Sequence, residues 1–275
     1  MEYKFSVVIP VHFAINELQL KESFDSVSIY QQLLPSELII VVDGIIQPSR
    51  QEFIDVYASL LSIPVKILFT GPSPKGPGYS RNLGVQNASF DVIGFMDSDD
   101  VSLPDRFFKQ IPLLMESHYD LIGGQIEELD ETLTKSISIR TVPLNYQDIY
   151  NEFKLRNPIN NVTVVIKRNI FIELGGYPEL FFGEDYVLWL KMAECDCKML
   201  NLDSVLVKVR TGEGFLSRRF GNDYFKKNLY LSYHLMKFKT VGFRYSLLRM
   251  FKFMLLYILP KNLQYFLVKK FTRNL

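Results

Sequence analysis

The stretch Val92-Ile-Gly-Phe-Met-Asp-Ser-Asp-Asp100 runs from an apolar segment, typical of a buried strand, directly into three carboxylates. Carboxylates this close repel one another unless a cation or hydrogen-bond donors offset their charge. Hard oxygen ligands favour Mg²⁺ or Mn²⁺, which proteins commonly bind through one or two carboxylates together with substrate phosphates. The stretch therefore predicts a divalent-metal site at the carboxyl end of a strand.

A helix cap is the alternative explanation of the same acids. Asp and Ser are good N-cap residues, and Leu103-Pro104 suits the first turn of a following helix. Taken alone, the acidic stretch leaves metal binding and capping equally open.

Short apolar runs before this stretch alternate with longer mixed segments, which is the pattern of parallel strands joined by helical crossovers. Strands are predicted at residues 5–10, 38–42, 65–69 and 92–96, and helices at 18–32, 51–61 and 78–87. We therefore expect an α/β fold with a Rossmann-like, mostly parallel central sheet flanked by helices. Its ligand crevice should lie outside the carboxyl ends of the strands.

Further polar groups are expected at that edge of the sheet. Asp43 and Gly44 follow the second predicted strand, and the turn-rich loop 71–78 leads into a helix that carries Arg81. The backbone N–H groups of such a loop, together with Arg81, suit an anionic ligand. Asp-Gly is also a common turn pair, and Arg81 is equally compatible with an exposed charge on a helix.

The second half is less regular. Strands are predicted at 121–127 and 162–167, with a mobile stretch at 128–158 between them and a helix at 184–195. Glu184 and Asp185 fall in the first turn of that helix, where the helix dipole favours acids whether or not they are catalytic. Trp189 lies one turn later on the same face, and suits either stacking on a sugar or packing in the core.

Four segments resemble, in order and spacing, the family 2 glycosyltransferases of the GT-A fold: Ser6-Val-Val-Ile-Pro10, Val41-Val-Asp-Gly44, Arg81-Asn-Leu-Gly84 and Asp97-Ser-Asp99. Gly175-Gly-Tyr177 and Gly183-Glu-Asp-Tyr-Val-Leu-Trp-Leu190 continue the likeness, which covers residues 5–210. The resemblance implies an inverting, metal-dependent transfer of a sugar from a nucleotide-diphosphate sugar onto a glycan or lipid-linked oligosaccharide. Surface polysaccharide biosynthesis in a bacterium is the implied setting.

The same resemblance implies a division of the chain. A GT-A catalytic domain would occupy residues 1–215, with a nucleotide-binding half at 1–100 and an acceptor half at 101–215. A helical basic tail would follow at 216–275.

The resemblance also implies roles for individual residues. Asp99 would be the direct ligand of Mn²⁺ or Mg²⁺, and Asp97 would lie against the ribose and the metal. Asp185 would take the proton of the acceptor hydroxyl, with Glu184 beside it, and Trp189 would face the acceptor. A carboxylate positioned in this way contributes on the order of 10²–10⁴ in rate. The residues expected around the donor are Pro10, Val11, Asp43, Gly44, Arg81, Asp97 and Ser98.

Two departures from the family pattern concern the same site. Relatives often contribute a metal-binding histidine after the last strand of the catalytic domain, but residues 207–214 contain none. Arg210, Arg218 or Arg219 would contact the diphosphate instead, or would simply join the basic surface. Many relatives also have two acids after the second strand, where this chain has only Asp43 before Gly44.

The charge of the C-terminal stretch differs from that of the rest. Residues 224–275 contain eleven Lys and Arg and no Asp or Glu, whereas the preceding chain contains 20 basic and 30 acidic residues. The apolar run at 243–259 carries three basic residues and is too short to cross a bilayer, and a second amphipathic pattern follows Pro260. We expect two interfacial helices that bind an anionic membrane surface, or alternatively two helices that pack on the catalytic domain. No nucleic-acid-binding motif accompanies the positive charge.

The cysteine content and the N-terminal sequence limit the cellular location and the alternative functions of the protein. Two cysteines, Cys195 and Cys197, are too few for a disulfide framework, and the N-terminus lacks a signal-peptide pattern. We therefore expect a cytoplasmic protein, peripheral at the inner face of the cell membrane. The competing functions are a non-catalytic nucleotide- or glycan-binding protein of the same fold and a sugar nucleotidyltransferase. The latter should show a basic, glycine-rich signature near the N-terminus, which residues 8–20 lack.

Overall fold

The computed structural model describes residues 2–180, 182–211, 222–260 and 263–264. The strands are β1 (Ser6–His12), β2 (Glu37–Asp43), β3 (Val65–Phe69), β4 (Val92–Phe95), β5 (Val101–Ser102), β6 (Leu121–Leu129), β7 (Ser136–Arg140), β8 (Val165–Lys167) and β9 (Met199–Arg210). The helices are α1 (Glu17–Ser28), α2 (Pro48–Leu60), α3 (Pro77–Gln86), α4 (Arg106–Glu116), α5 (Tyr146–Glu152), α6 (Arg168–Glu173), α7 (Glu184–Glu194), α8 (Asn222–Leu235) and α9 (Phe243–Ile258).

The described strands form one sheet in the order β3-β2-β1-β4-β8-β6-β9-β5, with β7 paired to β6. β1 pairs in parallel with both β2 and β4, and β2 pairs in parallel with β3. β8 is antiparallel to its neighbours β4 and β6, whereas β6 and β9 are parallel. The sheet is therefore mostly parallel in its N-terminal half, as predicted. His12 pairs with Asp43, so the carboxyl ends of β1 and β2 meet at one edge.

Both faces of the sheet are covered, which explains why its central strands are continuous apolar runs. Val8 faces one core together with Phe95 and Trp189, while its neighbours Val7 and Ile9 face a second core. Gly84 brings α3 close to β1, because a Cβ at that position would lie 2.4 Å from Val8 Cγ1. The absence of a side chain therefore allows α3 to pack directly on the strand.

The predicted elements of the first half are confirmed, with shifts of a few residues at their ends. The strand at 65–69 has the predicted bounds, whereas α1 ends at Ser28, earlier than expected. The predicted mobile stretch at 128–158 is wrong, since it contains β7 and α5. The strand expected at 162–167 is shorter, because a 3-10 turn at Asn161–Thr163 precedes β8.

The C-terminal helices differ in how they pack. Leu231 and Leu235 of α8 belong to the first core, and Leu231 packs directly over Gly183. α8, the first helix of the predicted tail, therefore packs on the rest of the fold. This agrees with the alternative in which the tail helices pack on the catalytic domain. α9 packs on α8 through a narrow stripe that includes Ser246 and Phe253. The second amphipathic pattern, after Pro260, lies almost entirely outside the described residues.

Candidate active site

The acidic stretch forms the loop between β4 and β5. Asp99 is exposed, Asp97 is partly exposed, and Ser98 and Asp100 are buried. Burial, followed by the charges of Asp99 and Asp97, raises the pKa of Asp100 well above its ordinary range. The three carboxylates therefore create a strongly negative potential at the carboxyl end of β4.

Helix capping does not explain these acids. α4 begins at Arg106, its N-cap is Asp105, and that side chain makes no capping hydrogen bond. Asp105 instead pairs with Lys109, with the two charged atoms 2.6 Å apart. The capping alternative is wrong.

Arg210, at the end of β9, holds the acidic loop in place. Its backbone N–H donates to the Asp100 carboxylate at 2.9 Å, and its guanidinium donates to the Asp99 carbonyl. The same guanidinium also binds the Glu22 carboxylate and the Glu131 carbonyl. Arg210 therefore joins four segments of the chain, with its side chain engaged by the protein. Arg218 and Arg219 lie outside the described residues.

Arg81 lies on the other side of the loop. Its guanidinium donates to the Asp97 carboxylate and lies over the Tyr177 ring, 5.7 Å from the ring centre. Burial lowers the pKa of Arg81, but the charges of Asp97, Tyr177 and Glu184 and the hydrogen bond to Asp97 together outweigh this and leave the pKa raised. Arg81 is buried, so the alternative of an exposed helix charge is wrong. Its contact with a donor stays a prediction.

Asp43 organises the loop that leads into α3. One oxygen of its carboxylate accepts hydrogen bonds from the Thr70 hydroxyl at 2.7 Å and the Lys75 N–H at 2.8 Å, and the other accepts from the Gly76 N–H at 2.8 Å. Gly44 has a φ of +82°, and a Cβ there would lie 2.9 Å from Pro74 Cγ. The structure gives Asp43 and Gly44 a role in shaping this loop, and their contact with a nucleobase stays a prediction.

Asp185 lies in the first turn of α7. The helix follows Gly183, whose backbone has the left-handed conformation. Its carboxylate accepts a hydrogen bond from the Asn157 amide at 2.8 Å and another from the Tyr186 N–H at 2.7 Å. Burial raises the pKa of Asp185, while the Tyr186 N–H, Arg140, Arg81 and Asn157 act in the opposite direction. The side chain is thus held in a fixed orientation with an elevated proton affinity.

Glu184 connects this acid to the rest of the site. A Cβ on Gly78 would lie 3.1 Å from Glu184 Cγ, so the side chain packs against the start of α3. Burial, followed by the charge of Asp185, raises the pKa of Glu184, Arg81 opposes this shift, and Asp97 adds to it. Glu184 therefore packs on the start of α3, where the charges of Arg81, Asp97 and Asp185 all act on it.

Three contacts involve predicted residues at the same edge of the sheet. Asp43 binds Gly76, Gly78 packs on Glu184, and Arg81 binds Asp97, all at the carboxyl edge of the sheet. Surface concavities of about 370 and 570 Å³ lie elsewhere, one between α1 and α2 and one beside the N-terminal strand.

Three predicted contacts are corrected by burial. β1 extends to His12, so Pro10 and Val11 lie inside the strand with buried side chains, and neither borders a ligand. Trp189 is fully buried in the first core, against the edge of the Tyr177 ring. It packs in the core and does not face an acceptor.

Sequence reasoning missed several residues of the site. Asn157 and Arg140 come from the segment predicted to be mobile, so no local pattern marked them. Asn82 exchanges hydrogen bonds with the backbone of Tyr177, at 2.8 and 2.9 Å. Asn82 belongs to the Arg-Asn-x-Gly segment and Tyr177 to the Gly-Gly-Tyr segment. The presence of both segments in the sequence is the signal that could have predicted this contact.

The side chains fit a divalent cation that is shared with a substrate. Asp97 and Asp99 supply hard oxygens, and their charges, after burial, help to raise the pKa of Asp100, an effect that a nearby cation would oppose. Among the described residues, no three His, Cys, Asp or Glu side chains come together to form a metal site on their own. A site that takes its remaining ligands from a diphosphate does not require such a set.

Together, the fold and this edge define a GT-A type of nucleotide-sugar transferase, and comparisons with known proteins agree. The profile of "Glycosyl transferase family 2" matches residues 6–174. An uncharacterized glycosyltransferase of Haemophilus influenzae is 32% identical over 98% of this chain and 100% of its own length. The amylovoran biosynthesis glycosyltransferase AmsE of Erwinia amylovora is 31% identical over 87% of this chain and 88% of its own. The chain therefore belongs to glycosyl transferase family 2 and is a glycosyltransferase.

Further similar proteins carry more informative descriptions. The UDP-Gal:alpha-D-GlcNAc-diphosphoundecaprenol beta-1,3-galactosyltransferase of Escherichia coli is 26% identical over 98% of this chain and 97% of its own. S. aureus TarS 1-349 in complex with UDP-GlcNAc superposes with a TM-score of 0.65 at 17% identity, covering 91% of this chain and 71% of that one. The mannosyltransferase PcManGT of Pyrobaculum calidifontis, in complex with GDP-Man and Mn²⁺, has a TM-score of 0.60 at 14% identity, with coverages of 85% and 63%. These structures confirm the GT-A fold.

Proposed function

We propose that this enzyme transfers a sugar from a nucleotide-diphosphate sugar onto a lipid-linked glycan, at the inner face of the cell membrane, during assembly of a bacterial surface polysaccharide. The observation that carries the proposal is the ion pair of Arg81 with Asp97, together with the electrostatic coupling of Arg81 and Asp97 to Glu184 and of Arg81 to Asp185. These contacts support a site in which the leaving diphosphate would lie next to a base for the incoming hydroxyl. The role of AmsE in amylovoran biosynthesis supports the polysaccharide setting, and the diphosphoundecaprenol acceptor of the Escherichia coli galactosyltransferase supports the lipid-linked acceptor.

Asp99 and Asp97 would hold a Mn²⁺ or Mg²⁺ ion together with the donor diphosphate. When bound, such an ion stabilises the charge that develops on the diphosphate as it leaves. The chain itself fixes the geometry of the loop: Arg210 holds the Asp99 carbonyl and the Asp100 carboxylate, and Arg81 holds Asp97.

Asp185 is the proposed base, and its surroundings distinguish it from Glu184. Two hydrogen bonds and two arginines favour the ionised form of Asp185, whereas Glu184 faces the charges of both Asp185 and Asp97. These contacts orient the Asp185 carboxylate and favour its ionised form, so that it would accept the proton of an acceptor hydroxyl. The attack of that hydroxyl on the anomeric carbon, opposite to the departing diphosphate, would invert the anomeric centre.

A donor panel tests the proposal. Purified enzyme is incubated with UDP-GlcNAc, UDP-Gal or GDP-Man and a lipid extract of bacterial membranes, with Mn²⁺, Mg²⁺ or EDTA. We expect one donor to give labelled glycolipid and free nucleoside diphosphate only with the metal, and NMR of the product to show an inverted anomeric centre. Turnover that is unaffected by EDTA would contradict the metal role, and a retained configuration would contradict the single displacement.

A further inference from the structure

α9 exposes an apolar face that the rest of the described chain leaves uncovered. Leu248, Phe251, Leu255 and Ile258 are 65%, 57%, 50% and 71% exposed. Their spacing of three and four residues places them on one side of the helix. Exposed apolar faces of this size are typical of surfaces that bind another molecule or a membrane.

The charge around this face indicates its partner. α9 exposes Arg244 and Lys252 and contains no acid, and residues 224–275 as a whole carry eleven basic residues and no acidic ones. A second copy of the same face would bring like charges together, which opposes self-association. An anionic lipid surface is complementary in both charge and polarity. None of the helices in the described part of the chain has the length and apolar character needed to cross a bilayer.

The opposite side of α9 contacts the surroundings of Asp185. Arg249 donates to the Asn228 side chain at 2.9 Å and to the Leu155 carbonyl at 3.5 Å. Its guanidinium also lies 6.0 Å from the ring centre of Tyr186, the residue after Asp185. Leu155 is two positions from Asn157, whose amide orients the Asp185 carboxylate. The packed side of α9 thus contacts residues that neighbour Asp185 and Asn157 in the chain.

We propose that α9 docks on an anionic bilayer through Leu248, Phe251, Leu255 and Ile258 and holds the Asp185 side of the site at the membrane surface. A lipid-carried acceptor then reaches Asp185 from the bilayer, while the water-soluble donor binds at the loop shaped by Asp43. The acceptor part rests on the proposed function, whereas docking itself does not.

Paired substitutions test the docking face. Phe251→Glu with Leu255→Glu places two charges on α9, and Val56→Glu with Leu60→Glu places the same pair, at the same spacing, on α2. The α2 residues are matched controls, since they are 53% and 78% exposed. In co-sedimentation with phosphatidylcholine–phosphatidylglycerol vesicles, we expect the α9 pair to weaken binding by about tenfold or more. The α2 pair should bind as the unchanged chain does, and vesicles of phosphatidylcholine alone should recruit all forms weakly.

A second measurement does not depend on how the charged pair folds. Phe251→Trp places a fluorescent reporter on the face, and Val56→Trp places one on α2, while the native Trp189 is fully buried. Brominated lipids in the anionic vesicles should quench the added fluorescence of the Phe251→Trp variant and leave that of the Val56→Trp variant unchanged. Equal quenching of the two variants, or undiminished vesicle binding by the α9 pair, would overturn the proposal. The proposal would also be overturned if the unchanged protein formed a dimer without vesicles and the two α9 substitutions dissociated it. The exposed face would then be a contact between two copies of the chain.

Activity separates this inference from the proposed function. The α9 pair should lose transfer to acceptor lipid in vesicles about as much as it loses vesicle binding, and should keep its slow hydrolysis of the donor. If the unchanged protein turns over the donor but does not bind vesicles, the docking proposal is wrong and the proposed function stands. A chain that binds vesicles through α9 but turns over no nucleotide sugar contradicts the proposed function alone.

Discussion

The guanidinium of Arg81 donates to the carboxylate of Asp97 and thereby joins the first turns of α3 to the carboxyl end of β4. Besides forming this ion pair at an acidic edge, Arg81 also lowers the pKa of both Glu184 and Asp185. A single buried positive charge therefore serves the donor side and the acceptor side of the site.

Substitution of Arg81 should affect both sides together. Arg81→Met removes the charge but keeps an apolar side chain of similar length, so Asp97 loses its partner and the carboxyls of α7 become harder to ionise. We expect kcat/KM at neutral pH to fall on the order of 10²-fold, as is typical of a lost charged contact in a buried site. Arg81→Lys keeps the charge and should retain more activity, so equal activity of the two variants would contradict the electrostatic role.

Asp99→Ala should remove metal-dependent activity. The substitution leaves one carboxylate, Asp97, to share a cation with the diphosphate, and we expect turnover to fall by about 10²-fold or more. Asp203→Ala, an exposed acid on β9, is the control and should behave as the unchanged enzyme. A titration of activity against Mn²⁺ measures the effect, and full activity of Asp99→Ala would refute the metal role.

Asp185→Asn should abolish the base and leave donor binding intact. The amide preserves the size of the side chain but cannot take a proton, so kcat should fall by about 10²–10⁴-fold. Thermal unfolding with and without the nucleoside diphosphate provides the binding readout, because a ligand selective for the folded state raises its stability. If transfer persists, another group deprotonates the acceptor.

The pH profile should move when Asn157 is changed. The base must be ionised, so activity should be lost as the pH falls through the raised pKa of Asp185, above the range of an ordinary Asp of about 3.9. Asn157→Ala removes a hydrogen bond that favours the ionised form, so the acidic limb of the kcat profile should shift to higher pH. Asn151→Ala, an exposed position on α5, should leave the limb in place. A shift of the Asn157→Ala limb to lower pH would contradict the assignment of Asp185.

Asn82→Ala should destabilise the fold. Its amide both donates to and accepts from the backbone of Tyr177, and both partners would lose their hydrogen bonds. We expect the free energy of unfolding to fall by about 2–4 kcal/mol. Gln86→Ala, exposed on the same helix, should change it by less than about 0.5 kcal/mol in the same denaturant titration. Equal effects would show that the Tyr177 contact contributes little.

The amino-acid sequence by itself determined the elements and the chemistry of the donor edge. The apolar runs that became β1, β2 and β3 are local patterns, and the Asp-x-Asp loop follows directly from the end of β4. The carboxyl ends of parallel strands meet at one edge whatever the detailed packing, so the position of the acids could be predicted from their order in the chain.

Tertiary structure alone decided which side chains are available to substrates. Val11 and Trp189 suit a site by residue type, but both are enclosed by segments distant in the chain. Arg210 binds the acidic loop about 110 positions away, and Asn157 reaches Asp185 from a stretch without a periodic pattern. The physical reason is that burial and hydrogen-bond pairing depend on which distant segments pack together, and the pattern of any one segment carries little information about its partners.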